Sequence, residues 1–223
     1  MIDLQNGEIT IVGRITDASN ATLLAHIDGE QVVYKPIAGE RPLWDFPDGH
    51  LAYREYAAFL ISEHLGFEIV PPTVLRDGPY GEGMVQLWIE PNAEIDVVEI
   101  TQSTNVKIRE MVLFDALINN GDRKFGHILP LDERNIYGCD HGVTFNVENK
   151  LRTVLWQWSG DTFTPHENEK IEIFKKVIVD SRYEALLTDA EIAAAISRAD
   201  NLLSMGTFPE PSEDWPAIPW PPF

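Results

Sequence analysis

The chain contains little cysteine and no long apolar segment. Its single cysteine, Cys139, excludes an internal disulfide and a zinc site made of several thiolates. No run of about 18 apolar residues is present, so the sequence predicts no membrane-spanning helix. The first residues lack a basic segment followed by an apolar one. We therefore expect no secretion signal and a cytoplasmic location.

Positive charge is also scarce. The chain has 17 Lys and Arg against 36 Asp and Glu, and its net charge is −19. Such a surface repels the phosphates of nucleic acids and of anionic lipid headgroups, so neither nucleic-acid binding nor stable membrane association is expected. A phosphate-bearing ligand would need a local positive site, which makes the few basic residues informative.

Hydrophobic periodicity predicts an α+β fold within a 223-residue chain that is long enough to bury a core. Alternating or apolar segments predict strands, and Asp28-Gly29 is a strong signal for a two-residue hairpin turn. A helical face ends at Gly66. In the first half, the predicted strands are 8–12, 21–27, 31–36, 71–75 and 84–89, and the predicted helix is 51–65.

The second half is predicted to be mostly helical. A helix over 106–119 is expected to have Gly121 as its C-cap, and two capping boxes begin further helices at Thr164 and Thr188. Short strands are predicted over 127–130 and 135–139. These elements indicate an N-lobe at 1–92 with an antiparallel sheet and one helix. A C-lobe at 93–208 would contain the catalytic loop, the metal site and the remaining helices. A Pro/Trp-rich tail at 209–223 is expected to lie extended against the body or to stay mobile.

The segment from Gly121 to Gly142 contains the candidate catalytic residues. Asp122 begins Asp-Arg-Lys-Phe-Gly-His, which ends at His127, and Asp140 begins Asp-His-Gly. A carboxylate that orients a hydroxyl, followed by a carboxylate and another ligand for magnesium, is the layout of a phosphoryl-transfer site. Each residue also has a structural interpretation: a turn aspartate for Asp122 and Asp140, and a structural histidine for His127.

A second pair of charged residues comes earlier in the chain. Lys35 lies in a predicted strand, and Glu55 lies on an otherwise apolar helical face that favours a buried partner. A strand lysine paired with a helix glutamate positions nucleotide phosphates in kinases. The alternatives are a solvated Lys35, and a Glu55 that is exposed or paired with Arg54.

The order of these motifs resembles that of the atypical kinases of the phosphatidylinositol 3-/4-kinase-like group, in an actinobacterial branch, and more distantly that of the HipA-type kinases. The motifs are Lys35, Glu55, Asp122 to His127 and Asp140 to Gly142. The resemblance covers residues 8–160 and implies a small two-lobed kinase-like fold.

That resemblance also implies a role for each matching residue. Lys35 would bind the α- and β-phosphates of ATP and Glu55 would hold Lys35. Asp122 would be the catalytic acid/base, with Arg123 or Lys124 holding this acid or a phosphate. Asp140, with His127, would bind Mg²⁺ or Mn²⁺. The hinge residues Gln86, Leu87, Trp88 and Ile89 would present backbone groups to adenine, and Ser19 and Asn20 would cover the phosphates.

The sequence departs from the kinase pattern in three places. The phosphate loop at 16–21 has no glycine, and His127 stands where kinases usually carry Asn. No Ala-Pro-Glu follows Asp140, which argues against docking of substrates in the manner of protein kinases.

Three functional hypotheses follow. The first is an ATP-dependent phosphotransferase acting on a hydroxyl of a small molecule or protein. The second is a catalytically inactive, kinase-like module that binds nucleotide. The third is a metal-dependent hydrolase that uses Asp122, His127, Asp140 and His141 as ligands.

Overall fold

A computed structural model of the protein describes residues 2–15 and 20–223. Its largest sheet has five antiparallel strands in the order β1-β2-β3-β5-β4. The central strands β3 and β5 pair with each other, so β3 is flanked on both sides. The strands are β1 (Thr10–Arg14), β2 (Leu23–Ile27), β3 (Glu30–Pro36), β4 (Thr73–Gly78) and β5 (Gly81–Leu87).

Local turn chemistry explains the boundaries of these elements. Asp28 and Gly29 both have positive φ, 53° and 86°, as a two-residue hairpin of the favoured hand requires. The first helix, α1 (Leu51–His64), packs against β4 and β5 and is followed by Gly66 in the left-handed region, with φ 64°. Both features confirm the sequence prediction.

The rest of the chain is mostly helical, as predicted. The helix α2, which the sequence did not predict, is capped by the side chain of Asp96. The predicted capping boxes at Thr164 and Thr188 are both formed. The elements are α2 (Val97–Thr101), α3 (Val106–Ile118), β6 (Ile128–Pro130), β7 (Ile136–Gly138), α4 (Pro165–Val177), α5 (Ser181–Glu184) and α6 (Asp189–Met205).

The prediction that Gly121 caps α3 was wrong. Asn119 is the left-handed residue, with φ 54°, because its amide is held by the carbonyls of Asn146 and Glu148 at 3.0 and 2.7 Å. Asparagine tolerates this conformation better than most residues. Gly121 instead donates its N–H to the Val143 carbonyl at 3.1 Å. The segment after α3 is therefore fastened to the segment that follows Asp140.

Alternation along β3 determines which residues face the helices. Tyr34 is fully buried in a small apolar cluster on one face of the sheet, with Ile27 and Val85. The adjacent Lys35 points to the opposite face, because successive side chains in a strand alternate. The larger core joins α1, α3, α4 and α6. Lys35 thus lies between the sheet and the helical part.

The C-terminal tail lies extended against the body, which is one of the two outcomes expected from its sequence. Thr153 donates its N–H to Ala217 at 3.0 Å, and Phe125 donates its N–H to Pro222 at 2.8 Å. The rings of Phe125 and Phe223 are 5.1 Å apart. Within the described ranges, no helix combines the length and apolar character needed to cross a membrane.

Candidate functional site

Lys35 connects the sheet to both halves of the candidate site. Its Nζ lies 2.5 Å from Oε1 of Glu55 on α1 and 2.8 Å from Oδ1 of Asp140, which follows β7. Burial alone would lower the pKa of Lys35, but the two carboxylates outweigh it and raise that pKa above its ordinary value. The positive charge of Lys35 is therefore held between the sheet and the helical part.

Glu55 pairs with Lys35 and not with Arg54. Its side chain is buried, and Oε2 accepts the backbone N–H of His141 at 2.9 Å. Arg54 is turned away and binds Glu191, with Nε 2.8 Å from Oε1. Burial raises the pKa of Glu55, while Lys35 acts in the opposite direction. Glu55 therefore connects α1 to both Lys35 and the segment that begins with Asp140.

Asp140 has an uncommon backbone conformation. Its φ is 60°, in the left-handed region that is uncommon for residues other than glycine. The side chain is 52% exposed, and the positive charge of Lys35 lowers its pKa below the usual range for aspartate. The carboxylate of Asp140 is thus ionised. One side of it is open to solvent, and the other is bound by Lys35.

His127 faces the second oxygen of Asp140. Its Nε2 is 3.6 Å from Oδ2 of Asp140, and its Nδ1 is buried without a hydrogen-bond partner in the part of the chain that the structure describes. Burial lowers the pKa of His127, although Asp140 opposes this effect. A neutral imidazole has a free lone pair, so His127 can act as a metal ligand.

The donor set fits a divalent ion that is bound partly by nucleotide. Asp140 and His127 supply one carboxylate and one imidazole, and no group of three His, Cys, Asp or Glu suited to a metal occurs among residues 2–15 and 20–223. Magnesium is commonly held by one or two carboxylates together with substrate phosphates. His141 does not join this set, because its Nε2 is 2.7 Å from Nη2 of Arg123. The hydrolase hypothesis therefore loses one of its four ligands.

Asp122 is held by its neighbours in the loop after α3. Its backbone N–H donates to Oδ1 of Asn120 at 3.0 Å, and Nδ2 of Asn120 donates to Oδ1 of Asp115 at 3.0 Å. Lys124 places Nζ 3.1 Å from Oδ2 of Asp122. The side chain of Asp122 stays 29% exposed, so it is accessible to a ligand.

Arg123 contacts neither Asp122 nor a solvent-accessible phosphate position, in contrast to the role suggested for it alongside Lys124. It has no exposed surface, and its Nε and Nη2 each lie 2.8 Å from an oxygen of Asp115. A guanidinium so deeply buried needs a carboxylate partner, and Asp115 on α3 provides one. Arg123 thus supports the loop after α3 from inside the core.

The expected hinge, residues 86–89, begins within the last two residues of β5. Gln86 lies within this strand, and its buried side chain donates to Oγ1 of Thr73 at 2.8 Å. Leu87 and Trp88 already donate their N–H groups to Pro72 and Gln31, at 2.9 and 3.0 Å.

The predicted phosphate-covering residues lie only partly within the described chain. Asn20 uses Oδ1 to accept the N–H of Arg41 at 2.9 Å. Ser19 lies outside the described residues.

Sequence reasoning missed Asp115, Asn120 and the role of His141. Asp115 carried the clearest signal, since it is an acid on a helical face whose other buried residues are apolar. The same argument had led to Glu55 but was not applied to Asp115. Burial of Arg123 depends on tertiary packing that its local sequence does not reveal.

Comparisons with known proteins identify one similar sequence and a shared fold. No family model matches the chain. The chain is 40% identical to protein Rv2133c of Mycobacterium tuberculosis, across 99% of this chain and 94% of that protein. Its structure is similar to the Golgi casein kinase, with a TM-score of 0.58 and 14% identity over 91% of this chain and 72% of the kinase. The Helicobacter pylori proinflammatory kinase CtkA aligns with a TM-score of 0.49 and 12% identity, over 93% of this chain and 95% of CtkA.

At 14% identity, the similarity to the Golgi casein kinase shows the fold alone. The sheet with α1 and the mostly helical remainder form a kinase-like α+β fold, which confirms the predicted fold class. The boundaries at residues 92 and 208 remain predictions.

Proposed function

The chain belongs to the same family as mycobacterial protein Rv2133c, and on its kinase-like fold we propose that it is an ATP-dependent phosphotransferase. One observation carries this proposal: Nζ of Lys35 contacts Glu55 on α1 and Asp140 after β7, at 2.5 and 2.8 Å. A lysine and a glutamate that position phosphates, close to a carboxylate that binds metal, are the parts a kinase needs in one cleft.

Lys35 and Glu55 would bind the nucleotide phosphates. The ammonium of Lys35 pairs with oxygens of the α- and β-phosphates, and Glu55 keeps it in position through a buried ion pair. Asp140 and His127 would hold Mg²⁺ or Mn²⁺, and this ion neutralises charge on the phosphate oxygens when bound. Backbone groups of the hinge, with Ile89 following the two N–H groups already in use, would contact adenine.

Asp122 would act on the acceptor. Its carboxylate orients the acceptor hydroxyl and takes up the proton as the hydroxyl oxygen bonds to the γ-phosphorus. The bond between this phosphorus and the bridging oxygen breaks, and ADP leaves with the electron pair. Lys124, whose Nζ is 3.1 Å from Oδ2 of Asp122, pairs with this carboxylate before transfer. Catalysis then rests on positioning and charge neutralisation.

The finer affiliation with phosphatidylinositol 3-/4-kinase-like and HipA-type enzymes is part of this proposal and rests on the order of the motifs. A lipid acceptor is disfavoured because a chain of net charge −19 is repelled by anionic membranes. The acceptor is a small molecule or a protein hydroxyl.

A catalytically inactive module that binds nucleotide is the second candidate. Two features favour it: the imidazole of His127 stands where kinases usually carry an amide, and the segment 16–21 contains no glycine. Such a module would bind ATP without consuming it.

Substitution of Asp122 tests the proposal and separates the two candidates. The wild-type protein should gain thermal stability with ATP and Mg²⁺ and should form ADP. Asp122→Asn should keep the thermal shift but lose at least about 100-fold of ADP formation, because it removes the general base. Asp189→Asn, at an exposed position in α6, is the matched control.

Each outcome of this experiment has a distinct meaning. ATP binding without ADP formation across a panel of hydroxyl acceptors would assign the inactive module. No thermal shift with any nucleotide in the wild-type protein would contradict both candidates.

A further inference from the structure

A cavity of about 280 Å³ lies beside Asp122. Two indoles, Trp44 and Trp215, form part of its wall, and two basic residues, Lys150 and Arg152, line it as well. Its size fits a small molecule and not a folded protein surface. The chain has only 17 Lys and Arg residues. Two of them line this one cavity, next to the proposed catalytic carboxylate of Asp122.

Lys150 is a buried cation that is already partly neutralised. It is 7% exposed, and its Nζ lies 4.6 Å from the ring centroid of Trp44 and 4.5 Å from that of Trp215. Its Nζ is also 2.9 Å from Glu148 and 3.6 Å from Asp45. The ammonium therefore holds the two indoles together, in the geometry of a cation–π contact. The tail residue Trp215 is thus part of the cavity.

Arg152 is the cation with a free donor. Its Nε is buried and has no hydrogen-bond partner among residues 2–15 and 20–223. Its backbone is fixed at the catalytic loop: its N–H donates to Asn120 at 2.9 Å, and its carbonyl accepts from Arg123 at 3.1 Å. The guanidinium lines the cavity, and none of its other nitrogens has a hydrogen-bond partner in the described ranges either, so an anionic ligand would be stabilised by these donors.

Arg152 is the charged residue of the lining that has no ion pair in the part of the chain that the structure describes. The carboxylate of Asp122 is paired with Lys124 at 3.1 Å. Lys150 lies 2.9 Å from Glu148 and 3.6 Å from Asp45. Among residues 2–15 and 20–223, no carboxylate lies within ion-pair distance of the Arg152 guanidinium at the cavity wall. Since the protein as a whole repels anions, this unpaired guanidinium selects an anion at this position.

We propose that this cavity is the acceptor site and that the acceptor is a small hydroxyl compound bearing an anionic group, either a carboxylate or a phosphate ester. This inference rests on the proposed function. Arg152 binds the anionic group, Trp44 and Trp215 flank the carbon skeleton, and the hydroxyl meets Asp122. The hydroxyl oxygen forms the new bond to the γ-phosphorus of ATP, its proton goes to Asp122, ADP leaves, and the anionic group is unchanged.

Tryptophan fluorescence tests this inference without nucleotide, because two of the indoles line the cavity. We would titrate the full chain with four probes: glycerate, glycerol 3-phosphate, glycerol and ethanolamine. At least one anionic probe should bind at least about tenfold more tightly than glycerol and ethanolamine. Arg152→Gln should weaken that binding at least about tenfold, as loss of a charge-assisted hydrogen bond does.

Two further variants control this experiment. Arg152→Lys keeps the charge and should restore most of the binding. Arg134→Gln changes an exposed arginine in the turn between β6 and β7 and should bind like the wild type. The comparison of glycerate with glycerol 3-phosphate decides between a carboxylate and a phosphate ester.

The outcomes that overturn the inference are distinct from failure of the proposed function. Equal affinity for anionic, neutral and cationic probes, unchanged binding in Arg152→Gln, or no binding of any probe would each contradict it. A protein that fails to bind ATP but binds the anionic probe through Arg152 would contradict the phosphotransferase proposal and leave an anion site.

Discussion

Arg123 joins three parts of the candidate site through one buried side chain. Its guanidinium binds Asp115 on α3, contacts Nε2 of His141, and lies 3.3 Å from the carbonyls of His127 and Cys139. Both segments that carry proposed catalytic groups are therefore fixed to α3. A buried pair of this kind stabilises a particular geometry, and loss of one partner is costly because the other charge remains buried.

Arg123→Met should lower the free energy of unfolding by about 3–5 kcal/mol, because it leaves Asp115 buried without its partner. Urea unfolding followed by circular dichroism measures this change. Lys175→Met is the control: Lys175 pairs with Asp200 at 2.6 Å on the surface, where solvent screens the pair and its loss should change stability little. Losses of equal size in the two variants would show that Arg123 is not needed for the loop.

At the scale of elements, α4 is fastened to α3 at its first turn. Thr164 and Glu167 form a capping box, and both carboxylate oxygens of Glu167 also accept from Arg109 on α3, at 2.6 and 3.0 Å. Burial opposes ionisation of Glu167, but hydrogen bonds from Arg109 and Thr164 outweigh it and lower its pKa. One residue thus begins a helix and connects it to its neighbour.

This shift in pKa predicts an acid dependence of stability. Because the folded pKa of Glu167 is lower than the unfolded value of about 4.5, its contribution is complete above that value and decreases as pH falls towards the folded pKa. Glu167→Gln should therefore be less stable than the wild type at pH 7, and the difference should shrink as pH falls below about 4.5. Thermal unfolding across pH measures it.

The control for this experiment lies on the same helix. Glu169→Gln changes an exposed residue of α4 and should follow the wild-type profile. A constant difference between Glu167→Gln and the wild type at every pH would contradict the role assigned to the ionised carboxylate.

Elements with a local cause were predictable from sequence. The Asp28-Gly29 hairpin and the capping boxes at Thr164 and Thr188 appear where expected, because residues three or fewer positions apart determine them. The end of α3 was not predictable from sequence, since Asn119 takes the left-handed conformation through hydrogen bonds to carbonyls 27 and 29 residues away. The short α2 was missed for a different reason, because its five residues are too few to show a helical periodicity.

At the scale of the whole molecule, the candidate site is assembled from distant parts of the chain. Lys35 is 20 residues from Glu55 and 105 residues from Asp140, yet it contacts both. The sequence predicted Glu55 as the partner of Lys35, but it did not predict the contact between Lys35 and Asp140. The burial of Arg123 and the cavity at Arg152 depend on packing, and no local pattern indicated them.

The account depends most on a nucleotide site at Lys35, and calorimetric titration with ATP and Mg²⁺ tests it most directly. The wild-type protein should bind. Lys35→Ala should bind at least about tenfold more weakly, because a charge-assisted contact to phosphate is lost. Lys176→Ala, at an exposed position of α4, should bind like the wild type. Equal affinity of Lys35→Ala and the wild type for ATP and Mg²⁺ would contradict the account.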